Sequence, residues 1–363
     1  MYQIGRDPVV QQGKLQLSEA GYISPKPRRG PARYPWIVIL LVLAIWFFHG
    51  RVPGSRAGDV IQPPRLKIRY QDEGGTILGV LSEDGRLSLR NERSMEYDGL
   101  DEVRDFGFVG DAMWMLKNGV LSLRRPTQSA DFTAVKYVYP LDDSILLVRQ
   151  GGSLKETVGL SDVNGNVVLL PDVSGCILYA SGDSGRFVAC TLDLDEKVAV
   201  YELSLHVDGK RRWQVPLWDI PLDVKVSATG VVLLTRKGIT ALDFAGNIAW
   251  RRQCAGARGV AVGGQRVYYG RPELFDSTQV ICVDNLGREM WRRTVWGTVT
   301  DLSWAEEFLV VTSTRGVRVY SASGDLMWYE RDAVSADLRN GRLAWADGQG
   351  VVRIVNAQEG HFD

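Results

Sequence analysis

Nucleophilic, metal-assisted and acid–base chemistry start from histidines, cysteines and converging carboxylates, and in this chain of 363 residues such groups are sparse. There are three histidines, His49, His206 and His361. A zinc centre or a Ser/His/Asp triad needs an imidazole fixed by its neighbours. His49 borders a long apolar run and His361 lies in the polar end of the chain, so only His206 falls among strand-like segments. It stands in a hairpin beside Asp208, where an exposed turn position is expected. The acidic run Asp193-Leu-Asp-Glu196 lacks the glycine and ligand spacing of a calcium loop and reads as a solvated turn. Gly151-Gly152 and Gly263-Gly264 lack the Lys-Ser/Thr that follows a phosphate-cradling loop, so they read as hairpin turns. The four cysteines are Cys176, Cys190, Cys254 and Cys282. A regular hairpin centred on Asp183 sets Cys176 opposite Cys190, which leaves a disulfide and two buried thiols both open. An oxidising compartment favours the bridge. No catalytic, cofactor-binding or metal-ligating residue emerges, and the expectation is a protein that is not an enzyme and takes no cofactor.

What the chain does carry is a repeat. Leu205-His-Val-Asp-Gly-Lys-Arg-Arg-Trp213, Leu242-Asp-Phe-Ala-Gly-Asn-Ile-Ala-Trp250, Val283-Asp-Asn-Leu-Gly-Arg-Glu-Met-Trp291 and Tyr320-Ser-Ala-Ser-Gly-Asp-Leu-Met-Trp328 each place a tryptophan four residues after a glycine. The tryptophans recur about every 40 residues, a period of repeat architectures. Around each phrase lie three further short runs rich in Val, Ile, Tyr and Thr, such as Gly259-Val-Ala-Val262, Arg266-Val-Tyr-Tyr269 and Gln279-Val-Ile-Cys-Val283. Four antiparallel strands per period make one propeller blade.

The first half keeps the glycine but sets leucine where tryptophan later stands, in Gly85-Arg-Leu-Ser-Leu89, Gly119-Val-Leu-Ser-Leu123 and Gly165-Asn-Val-Val-Leu169. The sum predicts an all-β, seven-bladed propeller over residues 65–363, with eight blades possible if Leu66-Lys-Ile-Arg-Tyr70 adds a strand. Because Ala333 to Val355 holds only three runs, the strand from Arg86 to Arg90 is expected to close the ring by pairing with the last blade. Arginines beside the tryptophans, as in Trp250-Arg-Arg252, Trp291-Arg-Arg293 and Arg211-Arg-Trp213, read as charges that blunt exposed blade edges, with a basic rim for anionic partners as the other reading.

Before the propeller, residues 34–50 form an apolar run without a formal charge if His49 is neutral, from Tyr34 to Gly50. As a helix it covers about 26 Å, enough for a short membrane span. Trp36, Trp46 and Phe47 stand near its ends, where amphipathic rings prefer the interface. Ser55-Arg-Ala57 resembles a leader cleavage site, but Pro53 and Arg56 crowd it, so an uncleaved signal anchor is expected. Residues 1–33 read as a disordered basic tail and 51–64 as a linker. Lys26, Arg28, Arg29 and Arg33 before the span outnumber Arg51, Arg56 and Arg65 after it, which puts the N-terminus in the cytoplasm and the propeller outside it. Residues 1–56 carry eight basic and two acidic groups, so the rest holds 35 basic and 41 acidic of the 43 of each, a net of −6. That balance argues against nucleic acid as the partner.

The tryptophan phrases resemble the repeat of the quinoprotein-type propeller superfamily. The resemblance implies that Trp213, Trp250, Trp291 and Trp328 dock between neighbouring blades. It spans residues 200–330 well and 85–170 loosely. The superfamily includes quinone dehydrogenases and non-enzymatic scaffolds such as the periplasmic propeller subunit of the outer-membrane protein assembly machine. Many of the dehydrogenases place two adjacent cysteines at the cofactor, and no two cysteines here are adjacent. The expected function is therefore a membrane-anchored, extracytoplasmic scaffold for an envelope protein partner. A degenerate quinone-dependent oxidoreductase and a single-pass ligand sensor are the alternatives.

Overall fold

In the computed structural model the described residues run from 67 to 356, apart from 72–76, 83–84, 92–93, 111, 126–127, 151–155, 174–175, 194–199, 340 and 350. The predicted tail, anchor and linker lie outside them. Among the described residues no helix is long and apolar enough to cross a membrane.

The chain folds into consecutive antiparallel sheets, each a simple meander. Seven have four strands and span residues 67–100, 103–132, 135–169, 176–217, 221–253, 258–296 and 299–330. A further sheet of three strands spans 333–356. We number these sheets 1 to 8 in chain order. Seven four-stranded sheets agree with the sequence reading, and the run from Leu66 to Tyr70, which left an eighth possible, forms Lys67–Gln71, the first strand of sheet 1.

Burial within each sheet explains the sequence pattern. Second strands such as Ser144–Gln150 and Gly230–Thr235 are buried over their first five residues, because a neighbouring sheet packs on either side. They read as continuous apolar runs for that reason. Outer strands such as Ile248–Gln253 are mostly exposed, with Trp250 buried among polar neighbours. The core is correspondingly divided into clusters between sheets. One joins Val232, Leu234 and Ile239 of sheet 5 to Val260, Val267 and Ile281 of sheet 6. Another joins Ala344 and Ala346 of sheet 8 to Val80 of sheet 1, which closes the ring.

Closure therefore differs from the expectation. The strand Leu87–Asn91 pairs on one side with Ile77–Leu81 and on the other with Ser94–Leu100, so neither edge is free to reach sheet 8. Gly85 and Gly119 are also displaced from their expected role. They turn between the second and third strands of sheets 1 and 2, whereas the glycines of the tryptophan phrases turn between the third and fourth. Glycine turns with similar flanking residues occur at both ends of a sheet, so the phrase alone did not set the strand count.

Candidate functional site

The tryptophan phrases build the junctions between sheets. In Asp243-Phe-Ala-Gly246 the Asp243 carboxylate accepts the N–H groups of Ala245 and Asn247, at 2.9 and 2.8 Å, and Gly246 closes the turn with φ +88°. Asp284 does the same for Leu286 and Arg288. The left-handed conformation favours glycine, and the missing side chain has a second use. The ring of Trp213 lies on Gly246, that of Trp250 on Gly287 and that of Trp291 on Gly324. A Cβ at those glycines would stand 3.3, 2.9 and 2.7 Å from the respective ring. Each indole N–H then donates to the turn it covers: Trp213 to the Phe244 carbonyl at 3.0 Å, Trp250 to Asn285 at 3.0 Å, Trp291 to Ala322 at 2.9 Å. Trp328 packs against Trp345 of sheet 8, with ring centroids 5.9 Å apart.

In the first half Phe132 and Leu170 approach the equivalent glycines, Gly165 and Gly209. Leu169, the residue four after Gly165, is exposed and Leu170 is buried. The cause is a missing bulge. Trp250 stands opposite Ala241 after a register shift, whereas Leu169 stands opposite Gly159 with none. A one-residue difference turns the side chain to the other face.

Two junctions are locked by a second contact. Arg252 donates to the Gly287 carbonyl at 3.0 Å and Arg293 to the Gly324 carbonyl at 2.6 Å, each from two residues past its tryptophan. These arginines hold neighbouring sheets together, a role beyond blunting an edge. At the junction of sheets 4 and 5 the corresponding residue is Val215. It has no donor to give. Beside the Trp213 ring of the same junction lies a groove of about 560 Å³, lined by Arg186, Leu205, Val207, Arg212, Trp213, Phe244 and Ala245. The Arg186 guanidinium carbon stands 4.1 Å from the centre of the Phe244 ring. Among the described residues neither Arg186 nor Arg212 has an acidic partner. Two exposed cations beside two aromatic faces suit a ligand that combines a carboxylate with an apolar side chain. Sequence reasoning missed Arg186, Arg212 and Phe244 as a set. The available signal was the break in pattern from Trp-Arg-Arg to Trp213-Gln-Val215.

The other residues singled out in the sequence lie elsewhere. His206 is fully buried, against the expectation of an exposed turn. Its hairpin turns on two residues, Asp208 and Gly209, with φ +51° and +73°, so His206 is still paired within the strand and stands opposite Phe187. The two rings stack at 4.7 Å, Nε2 meets the Ser204 hydroxyl at 3.0 Å, and Nδ1 has no partner. Burial holds its pKa down to about 4, with the Arg211 charge adding to the effect.

Cys176 and Cys190 are free and do not face each other. The hairpin turns between Ser184 and Gly185 rather than on Asp183, which sets Cys190 opposite Tyr179, and beyond a bulge between Ile177 and Tyr179 Cys176 stands opposite Leu192. Burial pushes the Cys190 and Cys282 thiols up to about 12, which leaves them as thiols at neutral pH. Gly263-Gly264 lies at a hairpin turn, as expected, while Gly151-Gly152 and Leu194 to Glu196 lie outside the described residues. Among the described residues no three His, Cys, Asp or Glu side chains converge as metal ligands.

No protein-family model and no curated protein matches the chain. Solved structures do. Sqt1 from Saccharomyces cerevisiae is similar with a TM-score of 0.59 and 11% identity, over 80% of this chain and 95% of that one. Sqt1 from Chaetomium thermophilum, solved bound to the N-terminus of a ribosomal protein, has a TM-score of 0.58 and 14% identity over 80% and 96%. BamB from Moraxella catarrhalis has a TM-score of 0.51 and 14% identity over 82% and 96%. At such identities the likeness is one of fold, the β-propeller.

Proposed function

We propose that this chain is a non-catalytic interaction scaffold of the quinoprotein-like propeller type. Residues 34–50 anchor it in a cell-envelope membrane, with the propeller outside the cytoplasm. The observation that carries the interaction role is the groove between sheets 4 and 5, where the repeat omits its arginine lock and leaves Arg186 and Arg212 free to meet a partner's acidic groups. Support for such a role on this fold comes from the Chaetomium protein, which holds a partner's N-terminal segment. Support for the anchor is the uncharged run from Tyr34 to Gly50 with basic residues at either end.

The test is site-specific photocrosslinking in intact cells from Ala245, inside the groove, using the full chain. The expected result is one reproducible envelope protein, whose capture falls at least tenfold in the Arg186→Glu/Arg212→Glu variant. A parallel assay of the purified protein for quinone and calcium addresses the alternative chemistry. Stoichiometric quinone and calcium with no captured protein would replace the scaffold reading with the oxidoreductase one.

A further inference from the structure

The turns and links of the propeller sort onto two faces. One face carries the turn between the second and third strands of each sheet, together with the link to the next sheet. Backbone hydrogen bonds sew these segments to one another: Val103 donates to Gly85 at 2.8 Å, Val135 to Gly119 at 2.8 Å, Arg236 to Ile220 at 3.1 Å and Gly297 to Asp276 at 2.8 Å. The opposite face carries the first-to-second and third-to-fourth turns, and the groove of sheets 4 and 5 opens on that side. Lys67 stands opposite Leu81, at the end of sheet 1 from which the turn to the third strand leaves. The chain therefore enters the propeller from the first face.

That face is also where the chain exposes its largest apolar groups. The three most exposed large apolar side chains among the described residues are Trp218 at 93%, Phe275 at 88% and Leu274 at 78%, all on its links and turns. Trp296, also exposed, stands opposite Ser277 next to the Phe275 turn. On the opposite face Leu286 lies on a turn and Ile248 and Leu326 stand beside turns, at 62%, 55% and 54%, all aliphatic. Single exposed apolar residues are ordinary, but an asymmetric set of aromatic tips calls for a partner.

Phe275 is held out by its backbone. It and Asp276 both adopt left-handed conformations, φ +63° and +56°, unusual for a bulky residue. The loop is pinned by Glu273 N–H to the Ser277 carbonyl at 2.8 Å, the Ser277 hydroxyl to the Leu274 carbonyl at 2.9 Å, and Asp276 to Arg315 at 2.9 Å. Arg236 and Lys237 occupy a turn of the same face, bonded to the link that holds Trp218.

We infer that this face lies on the bilayer surface, with Trp218, Leu274, Phe275 and Trp296 in the interfacial layer and the groove of sheets 4 and 5 turned away from the membrane. The inference rests on the reading of residues 34–50 as an anchor. Aromatic side chains favour the headgroup level, and the charges beside them are of both signs, Arg236 and Lys237 with Asp219 and Glu273, so the apolar groups carry the contact. The 16 residues from Arg51 to Leu66 reach at most about 55 Å when extended, so the tether permits this contact without enforcing it. The apolar tips select the face.

The test uses the full chain in vesicles of phosphatidylcholine and phosphatidylglycerol. An environment-sensitive dye is attached at Phe275→Cys, at Trp218→Cys and, on the opposite face, at Leu286→Cys, each in a Cys176→Ser background. Flotation after an alkaline wash reads the anchor separately. The expected result is flotation of all three proteins, with a blue shift and quenching by spin-labelled acyl chains at 275 and 218 and neither at 286. Flotation with water-exposed dye at 275 and 218, or with equal embedding at 286, overturns the inference and leaves the anchored scaffold standing. Failure to float overturns the anchor and the inference together.

Discussion

Acid should weaken this propeller through His206 in a way that can be isolated. The ring is fully buried, stacked on Phe187, and its Nδ1 has no hydrogen-bond partner, so the neutral form is the one that fits. Its pKa falls from 6.5 to about 4 on folding. Below pH 6.5 the unfolded chain takes up a proton that the folded chain refuses, so stability is fully present above pH 6.5 and is lost as pH falls towards 4. A shift of that size corresponds to about 3 kcal/mol, most of it gone by pH 4.5. Carboxylates also titrate in this range, and a His206→Leu variant carries the same ones. The assay is urea unfolding of the wild type and the variant at a series of pH values in a fixed detergent, followed by tryptophan fluorescence. The variant loses the stacking and the Ser204 contact at every pH, but the gap in stability between the two proteins should shrink by about 3 kcal/mol between pH 7 and pH 4. A gap independent of pH would refute the argument and mean that His206 binds its proton equally well in both states.

Other substitutions probe the junctions and turns. Gly324→Ala should cost roughly 2 to 5 kcal/mol, because it combines a left-handed backbone with a Cβ driven into the Trp291 ring, whereas Gly246→Ala, with more room at Trp213, should cost about 1 to 2 kcal/mol; thermal melts of the pair would separate strain from overpacking. Val215→Arg should restore the lock seen at Arg252 and Arg293, bond the Gly246 carbonyl, and reduce crosslinking from Ala245 as far as the Arg186→Glu/Arg212→Glu variant does. Phe275→Asn should stabilise the fold by up to about 1 kcal/mol in urea titration, since asparagine tolerates φ +63° and the lost ring is exposed; on vesicles the same change should weaken the lipid contact.

The sequence by itself determined the architecture, because its marks are local. Asp243 and Asp284 bond backbone N–H groups within their own turns, Gly246 and Gly287 supply the left-handed step, and the tryptophan four residues on needs only the next sheet to rest against. Those relations repeat with the period of one sheet and can be read without knowing where any other segment lies. Register and burial belong to the tertiary structure. Whether Leu169 or Leu170 faces inward depends on a bulge, and whether His206 is a turn residue or a buried one depends on a two-residue turn in place of the longer one in the next sheet. Cys176 and Cys190 are kept apart by where their hairpin turns, between Ser184 and Gly185. The groove is less visible still, since Arg186, Trp213 and Phe244 come from two sheets. A side chain's neighbours across a junction are fixed by how sheets stack around the ring, and that stacking brings together residues some 60 positions apart in the chain.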